Sequence, residues 1–237
     1  MRLVIPWLDA KNGFPPVDSA LREPNGLLAA GGELSTARLL DAYRRGIYPW
    51  YSEGQPALWW SPDPRMVLFV DEFRPSRSLR RRVARREFDV RVDTAFAAII
   101  DACARAPRKG QDGTWITADM IRAYVRMHEL GYAHSVEAWR NGELVGGLYG
   151  LALGDVFFGE SMFAHVTDAS KVCLATLVGL LREQGMALID CQQETEHLAS
   201  LGARPIARKE FVRLLSRLVT SSARARVFGT GCIEETA

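Results

Sequence analysis

Three polar side chains sit inside apolar runs, and they are the first candidates for chemistry. Glu160 lies in Gly159-Glu160-Ser161, within the run from Val156 to Phe163. Asp190 and Gln192 lie in Leu188-Ile189-Asp190-Cys191-Gln192. Burying a carboxylate is costly unless it gains a partner or serves a function. Two carboxylates and an amide around one pocket could bind a cation, orient a nucleophile or handle its proton. They could equally satisfy backbone or arginine groups, and the residues alone leave that open.

Strands must position these groups. Glu143 to Phe163 reads as two strands around a Gly154-Asp155 turn, and Asn141-Gly142 joins it to a strand over Ala133 to Arg140. Residues i and i+2 of a strand share a face, so Asp190 and Gln192 are expected to act together and to line the pocket faced by Glu160. A further strand spans Met66 to Val70. Ser35 caps a helix from Thr36 to Arg45 that stops at Gly46, with Leu39, Leu40 and Tyr43 on its apolar face. Asp93 is expected to cap a helix through Ala104, Thr117 to start one that ends at Leu130, and Val172 to Arg182 to form a long apolar one. His128 fits a partly buried helix position rather than a catalytic one. The segment Arg208 to Val219 closes the fold as a helix, and the tail after Ser221 is expected to pack loosely. The order helix, helix, hairpin, strand, helix, strand, helix predicts an α+β class, with a mixed sheet covered by helices.

Gly46 to Arg65 holds Tyr48, Trp50, Tyr51, Trp59 and Trp60 among four prolines. It is expected to be a proline-stiffened aromatic loop that either plugs a joint between domains or stacks a nucleobase. A boundary near Asp63-Pro64 would divide a small N-terminal domain, 1–62, from a catalytic domain, 63–237. After it comes a one-signed cluster, Arg74, Arg77, Arg80, Arg81, Arg82, Arg85 and Arg86, with Leu79, Val83 and Phe88 as an apolar stripe. A short helix with a basic, phosphate-contacting face fits, as does a merely solvated one.

The 237 residues carry a formal net charge of only +2, so total charge points to no partner. Cys103, Cys173, Cys191 and Cys232 form no close pair, which argues against a zinc ribbon, a CxxC motif or a disulfide framework and suits a reducing compartment. No stretch approaches the ~20 apolar residues a bilayer crossing needs, and the N-terminus is broken by Pro6, Asp9 and Lys11. A cytoplasmic protein is expected.

The strings EPNGLLAAGGELS, RGIYPWYS, LWWSPDPR, GTWIT, HELGYAHSVEAW, ELVGGLYG, FFGESMF, ASK, LIDCQ and HLASLGA occur in this order. Together, over Leu21 to Phe211, they resemble the bacterial leucyl/phenylalanyl-tRNA–protein transferases. The resemblance implies a GNAT-like acyltransferase domain, no metal or other cofactor, and transfer of Leu or Phe, less often Met, from aminoacyl-tRNA. The acceptor would be the α-amino group of a protein beginning with Arg or Lys, thereby marked for degradation, and the enzyme a monomer. It implies that Asp190 and Gln192 serve the chemistry, with Gln192 holding the attacking amine and Asp190 polarising it or acting as base. Glu160 would bind a cationic part of a substrate. Trp50 and Trp115 would stack the terminal adenosine, with Ile189 closing the floor. Leu148, Val156, Phe157, Phe158, Met162 and Leu177 would form the aminoacyl pocket, although Leu148 and Leu177 replace bulkier residues of the family. Lys171 would meet tRNA phosphate or pair with Asp168 or Glu160, and the arginine cluster would carry the acceptor stem.

Other readings are an acetyl-CoA-dependent N-acetyltransferase, a peptidoglycan-building transferase and a non-catalytic RNA-binding module. The first lacks its R/Q-x-x-G-x-G/A turn before the helix at Ala169. The second lacks a heptad arm.

Overall fold

The computed structural model describes residues 5–9, 12–107, 114–220, 228 and 231–232. Its first elements are β1 (Trp7–Leu8), β2 (Leu27–Gly31), α1 (Thr36–Arg44), β3 (Tyr48–Pro49) and β4 (Leu58–Trp60). The strands form a small sheet in the order β1-β2-β4-β3. The Ser35 hydroxyl accepts from the Arg38 amide at 3.4 Å at the head of α1, and Gly46 takes the left-handed φ of 75° just past its end. The aromatic stretch is therefore not all loop. It supplies two strands, and Pro49 is tolerated because β3 is an edge strand, where a missing N–H loses no ladder bond. Trp59 is fully buried and donates its indole N–H to the Gly31 carbonyl at 2.8 Å.

The remaining elements are β5 (Arg65–Phe69), α2 (Arg77–Ala84), β6 (Asp89–Val92), α3 (Phe96–Arg105), α4 (Ala118–Glu129), β7 (Ala133–Arg140) and β8 (Glu143–Leu153). They continue with β9 (Val156–Ala164), α5 (Ala169–Glu183), β10 (Leu188–Gln192), α6 (Glu196–Ala199), β11 (Arg204–Ile206), α7 (Arg208–Leu218) and β12 (Gly231–Cys232). Eight strands form one mixed sheet, β11-β5-β10-β9-β8-β7-β6-β12. Among the described residues β9 and β10 are its parallel pair, and every other neighbouring pair is antiparallel. The small sheet ends at Trp60 and the large one begins at Arg65. Apolar residues of α1, α3, α4 and α7 share one core with the small sheet on one face of the large sheet, while α2 and α5 cover the other face. No described helix is long and apolar enough to cross a membrane.

Two local expectations are corrected. Asp93 does not cap α3. It takes a left-handed φ of 57°, and its carboxylate accepts from the Ser135 amide at 2.8 Å. The start of α3 is held from β7 instead, where Glu137 accepts from the amides of Thr94 and Ala95, each at 2.9 Å. Phe228 lies in the tail expected to be loose, yet it is buried, with its ring edge-on to His134 at 4.5 Å. The remainder of that tail lies outside the described residues, apart from β12.

The seating of α5 on the sheet depends on Gly146. A Cβ there would sit 2.5 Å from the Cβ of Ala169 and 3.2 Å from the Phe163 carbonyl oxygen. Gly146→Ala should therefore push the start of α5 off the sheet and destabilise the fold by about 1–3 kcal/mol. A denaturant midpoint unchanged from that of the parent chain would contradict this packing.

Candidate active site

Pairing between β9 and β10 runs from Leu188–Val156 to Asp190–Phe158 and then stops. Both strands are irregular at that point. The register of β8 against β9 shifts between Tyr149 and Gly150, so that Glu160 is the extra residue on β9. The register of β10 against β5 shifts between Asp190 and Gln192, which makes Cys191 the extra residue there. Such bulges bend a strand and re-aim its side chains. The parted strands leave a cavity of about 310 Å³. Leu148, Phe157, Met162, Leu174, Leu177, Ile189 and Leu198 make its apolar walls, and Glu160, Asp190, Gln192, Thr195 and His197 are among its polar lining.

The polar groups form one connected chain. Glu160 Oε1 accepts from the Tyr43 phenol at 2.7 Å and from Gln192 Nε2 at 2.9 Å, and Oε2 accepts from the Tyr124 phenol at 3.1 Å. The two phenol oxygens are also in hydrogen-bond contact with each other, where either can donate only in place of its bond to Glu160. Asp190 is fully buried and is gripped by Arg65, with Nε to Oδ1 at 2.8 Å and Nη2 to Oδ2 at 2.6 Å. Its Oδ1 also accepts from the Gln192 amide at 3.0 Å. Burial pushes the Glu160 carboxyl up to about 7, with the neighbouring Asp190 charge adding to the shift, while the bonds from Tyr43, Tyr124 and Gln192 pull it down. Burial, reinforced by the charge of Glu160, holds Tyr43 and Tyr124 well above the usual phenol range, so both are donors at neutral pH.

This geometry revises several assignments. Asp190, Gln192 and Glu160 are brought together, and Asp190 is engaged by Arg65 through both oxygens and by the Gln192 amide through one. Glu160 lines the cavity while holding two phenols and an amide. Leu148, Phe157, Met162 and Leu177 line the cavity, and so does Ile189. Val156 and Phe158 do not. Alternate residues of a strand face opposite ways, and these two point into the other core, where Phe158 packs edge-on to Tyr43 at 5.1 Å. Trp50 and Trp115 are half-buried outside the cavity wall. The Thr117 hydroxyl donates to the Tyr51 phenol at 3.4 Å, which ties the two tryptophan-bearing segments together.

Sequence reasoning missed Arg65, Tyr43 and Tyr124. Arg65 opens the apolar strand β5, and an arginine so placed asks for a buried carboxylate. The tyrosines were read only for their rings, although a buried phenol needs a hydrogen-bond partner.

The arginine cluster forms α2 and its flanks. Arg82 is tied to Glu87 at 2.8 Å and to Asp168 at 3.1 Å, and Lys171 is tied to Asp168 at 2.8 Å. The Lys171 hydrogen bond, then the charges of Lys171 and Arg82, hold Asp168 below the usual carboxylate range. Lys171 and Arg82 are thus committed within the protein rather than free for phosphate. Arg74, Arg77, Arg80, Arg81, Arg85 and Arg86 are exposed. No acidic partner is within ion-pair distance of them among the described residues.

A family model described as leucyl/phenylalanyl-tRNA protein transferase matches residues 67–216, and the model of the N-terminal domain of that transferase matches residues 32–63. The leucyl/phenylalanyl-tRNA–protein transferase of Azoarcus sp. (strain BH72) is 61% identical over 214 residues, 90% of this chain and 91% of that protein. The same-named protein of Stutzerimonas stutzeri (strain A1501) is 61% identical over 214 residues, 90% of this chain and 94% of its own. A solved ribosomal-protein-alanine N-acetyltransferase from Brucella melitensis biovar Abortus 2308 matches 62% of this chain and 99% of its own at 15% identity, with a TM-score of 0.34.

A carboxyl raised by folding stabilises the native state fully only below its unfolded pKa, and that contribution is lost as pH rises through the folded value. Replacing Glu160 by Gln should remove the loss. The stability of the parent chain relative to Glu160→Gln should therefore fall between about pH 4.5 and 7, by an amount on the order of 2–3 kcal/mol. Urea unfolding of both proteins across that range checks it, and parallel curves would contradict a buried, proton-binding Glu160.

Proposed function

Because the chain belongs to the leucyl/phenylalanyl-tRNA–protein transferase family, we propose that it moves Leu or Phe, and less readily Met, onto proteins that begin with Arg or Lys. It is an aminoacyltransferase acting from aminoacyl-tRNA to protein. The finer reading includes an acceptor marked for degradation, a cytoplasmic monomer and a division near residue 62 into a small and a GNAT-like domain. The mixed sheet with its single described parallel pair, opening between β9 and β10, supports the last.

The observation that carries the reading is the cavity itself. Its walls are apolar, and its polar end holds an amide aimed by a carboxylate. The acceptor α-amine, with a reference pKa of about 7.7–8.0, is partly neutral near pH 7. It attacks the ester carbonyl carbon; the C–N bond forms and the bond to the 3′ oxygen breaks. The amine gives up one proton and the departing oxygen takes one, so the step needs no external acid. Gln192 Nε2 is occupied by Glu160, which leaves the amide oxygen to accept from the amine and orient its lone pair. Glu160 serves here by fixing that amide, with Tyr43 and Tyr124 fixing Glu160 in turn.

An apolar pocket separates side chains that differ by one methylene by only ~1–3 kcal/mol, so Met should pass as a poorer substrate. The half-buried Trp50 and Trp115, on tied segments, suit the terminal adenosine. The six exposed arginines suit the phosphates of the acceptor stem, which they would position without reading sequence.

Labelled Leu-tRNA should give acid-stable label on an acceptor starting with Arg and none on the same protein starting with Ala, and Ala-tRNA should give none on either. Label from Ala-tRNA would remove the pocket assignment. Gln192→Ala should lower kcat by about 100-fold or more with the KM for aminoacyl-tRNA little changed. Added salt should weaken tRNA binding steeply, with Arg81→Ala and Arg85→Ala each taking about one unit off the log–log slope. A flat salt response would leave the basic face without this role.

A further inference from the structure

We propose that Arg65 is a positioning residue for the transfer reaction, acting through Asp190 to hold Gln192 in the one backbone conformation that aims its amide. The proposal rests on the reaction assigned above.

Gln192 adopts a φ of 61°, in the left-handed region that a residue with a Cβ enters only under local constraint. The constraint present is the hydrogen bond from its backbone amide to Asp190 Oδ1 at 3.0 Å. That bond directs the Gln192 chain only if the Asp190 carboxylate cannot turn. Arg65 prevents it from turning, because two nitrogens of the planar guanidinium meet two oxygens of the planar carboxylate, a geometry that fixes orientation as well as distance.

The guanidinium is itself held on every side. Its Nη1 donates to the Gly46 carbonyl at 3.1 Å, and its carbon lies 4.7 Å from the ring of Tyr48 and 4.8 Å from that of Phe211. The Gln193 side chain then reaches back to the Tyr48 phenol at 3.3 Å.

These contacts close a circuit. Gly46 holds Arg65, Arg65 holds Asp190, Asp190 holds the backbone of Gln192, and the Gln192 side chain bonds Glu160. Glu160 in turn accepts from Tyr43, three residues before Gly46. One turn of chain at the end of α1 therefore anchors both ends of the set that aims Gln192. A pair needed only for packing could be exchanged for apolar residues, because such exchanges in protein interiors are often neutral or stabilising. A pair needed for aim could not.

The test is the double variant Arg65→Met with Asp190→Leu, which removes both charges together. Transfer of Leu to an Arg-starting acceptor is measured at a temperature where melting curves show each protein folded. The expected result is a folded protein whose kcat is lower by about 100-fold or more while the KM for aminoacyl-tRNA stays within about 3-fold. A folded double variant with parent-like kcat overturns the proposal, as does one whose loss lies wholly in KM. If the double variant does not fold, Arg65→Lys decides. It keeps the charge but cannot span both oxygens, so kcat should drop by about 10-fold or more at constant KM. A parent-like kcat for that variant overturns the proposal. No transfer by the parent chain would instead sink the assigned reaction.

Discussion

The buried pairing of Arg65 with Asp190 is the interaction on which the rest of the site depends. Neither charge has access to water, so each is tolerable only because the other is present, with further hydrogen bonds from Arg65 to the Gly46 carbonyl and from the Gln192 amide to Asp190. Removing one partner alone would leave an uncompensated buried charge, among the most damaging single changes to a folded chain. The pair also joins elements far apart in sequence. Arg65 opens the edge-proximal strand β5, Asp190 lies at the opening of the sheet, and the groups enclosing the guanidinium come from the end of α1, from β3 and from α7. The small sheet is thus part of the wall of the site as well as an appendage to the large one.

A second constraint is the closeness of two carboxylates in a dry interior. Glu160 and Asp190 repel each other, and the fold answers differently for each. A guanidinium keeps Asp190 paired, whereas Glu160 receives only neutral donors and rises to about 7. A proton is therefore available at Glu160 near neutrality without any charged partner. Because phenols and an amide rather than a cation surround it, its charge can change without breaking an ion pair.

Much of this was legible in the chain. Asn141-Gly142 and Gly154-Asp155 located the hairpins because both turns need positive φ, and Asn141, Gly142 and Gly154 adopt it. Ser35 and Thr117 cap their helices as side-chain acceptors. The ordered motifs carried the family. What could not be read were contacts between residues distant in sequence. Arg65 and Asp190 are 125 positions apart, and nothing local to either names the other. Register was the second blind spot. Val156, Phe157 and Phe158 are all expected in the pocket wall, whereas alternation along a strand lets only one of two neighbours face it. The bulge at Glu160 then reverses the alternation, so that Met162 reaches the face that Phe157 occupies. The ties of Lys171 and Arg82 to Asp168 were likewise invisible in a run of arginines, since the acid comes from the turn before α5.

The same bulge has a consequence for redesign. The walls that would grip the acyl side chain come largely from Leu148 and Met162 beyond the bulge and from Leu174 and Leu177 on α5. The groups that aim the amide hang from Tyr43, Tyr124 and Arg65 in the opposite core. The two sets are separable parts, as a lathe's chuck is separable from its tool post. Bore and cutting edge can be changed independently. Enlarging the cavity from the α5 side would admit bulkier or unnatural side chains while leaving the aiming circuit intact, which makes this chain a workable starting point for attaching chosen residues to protein N-termini.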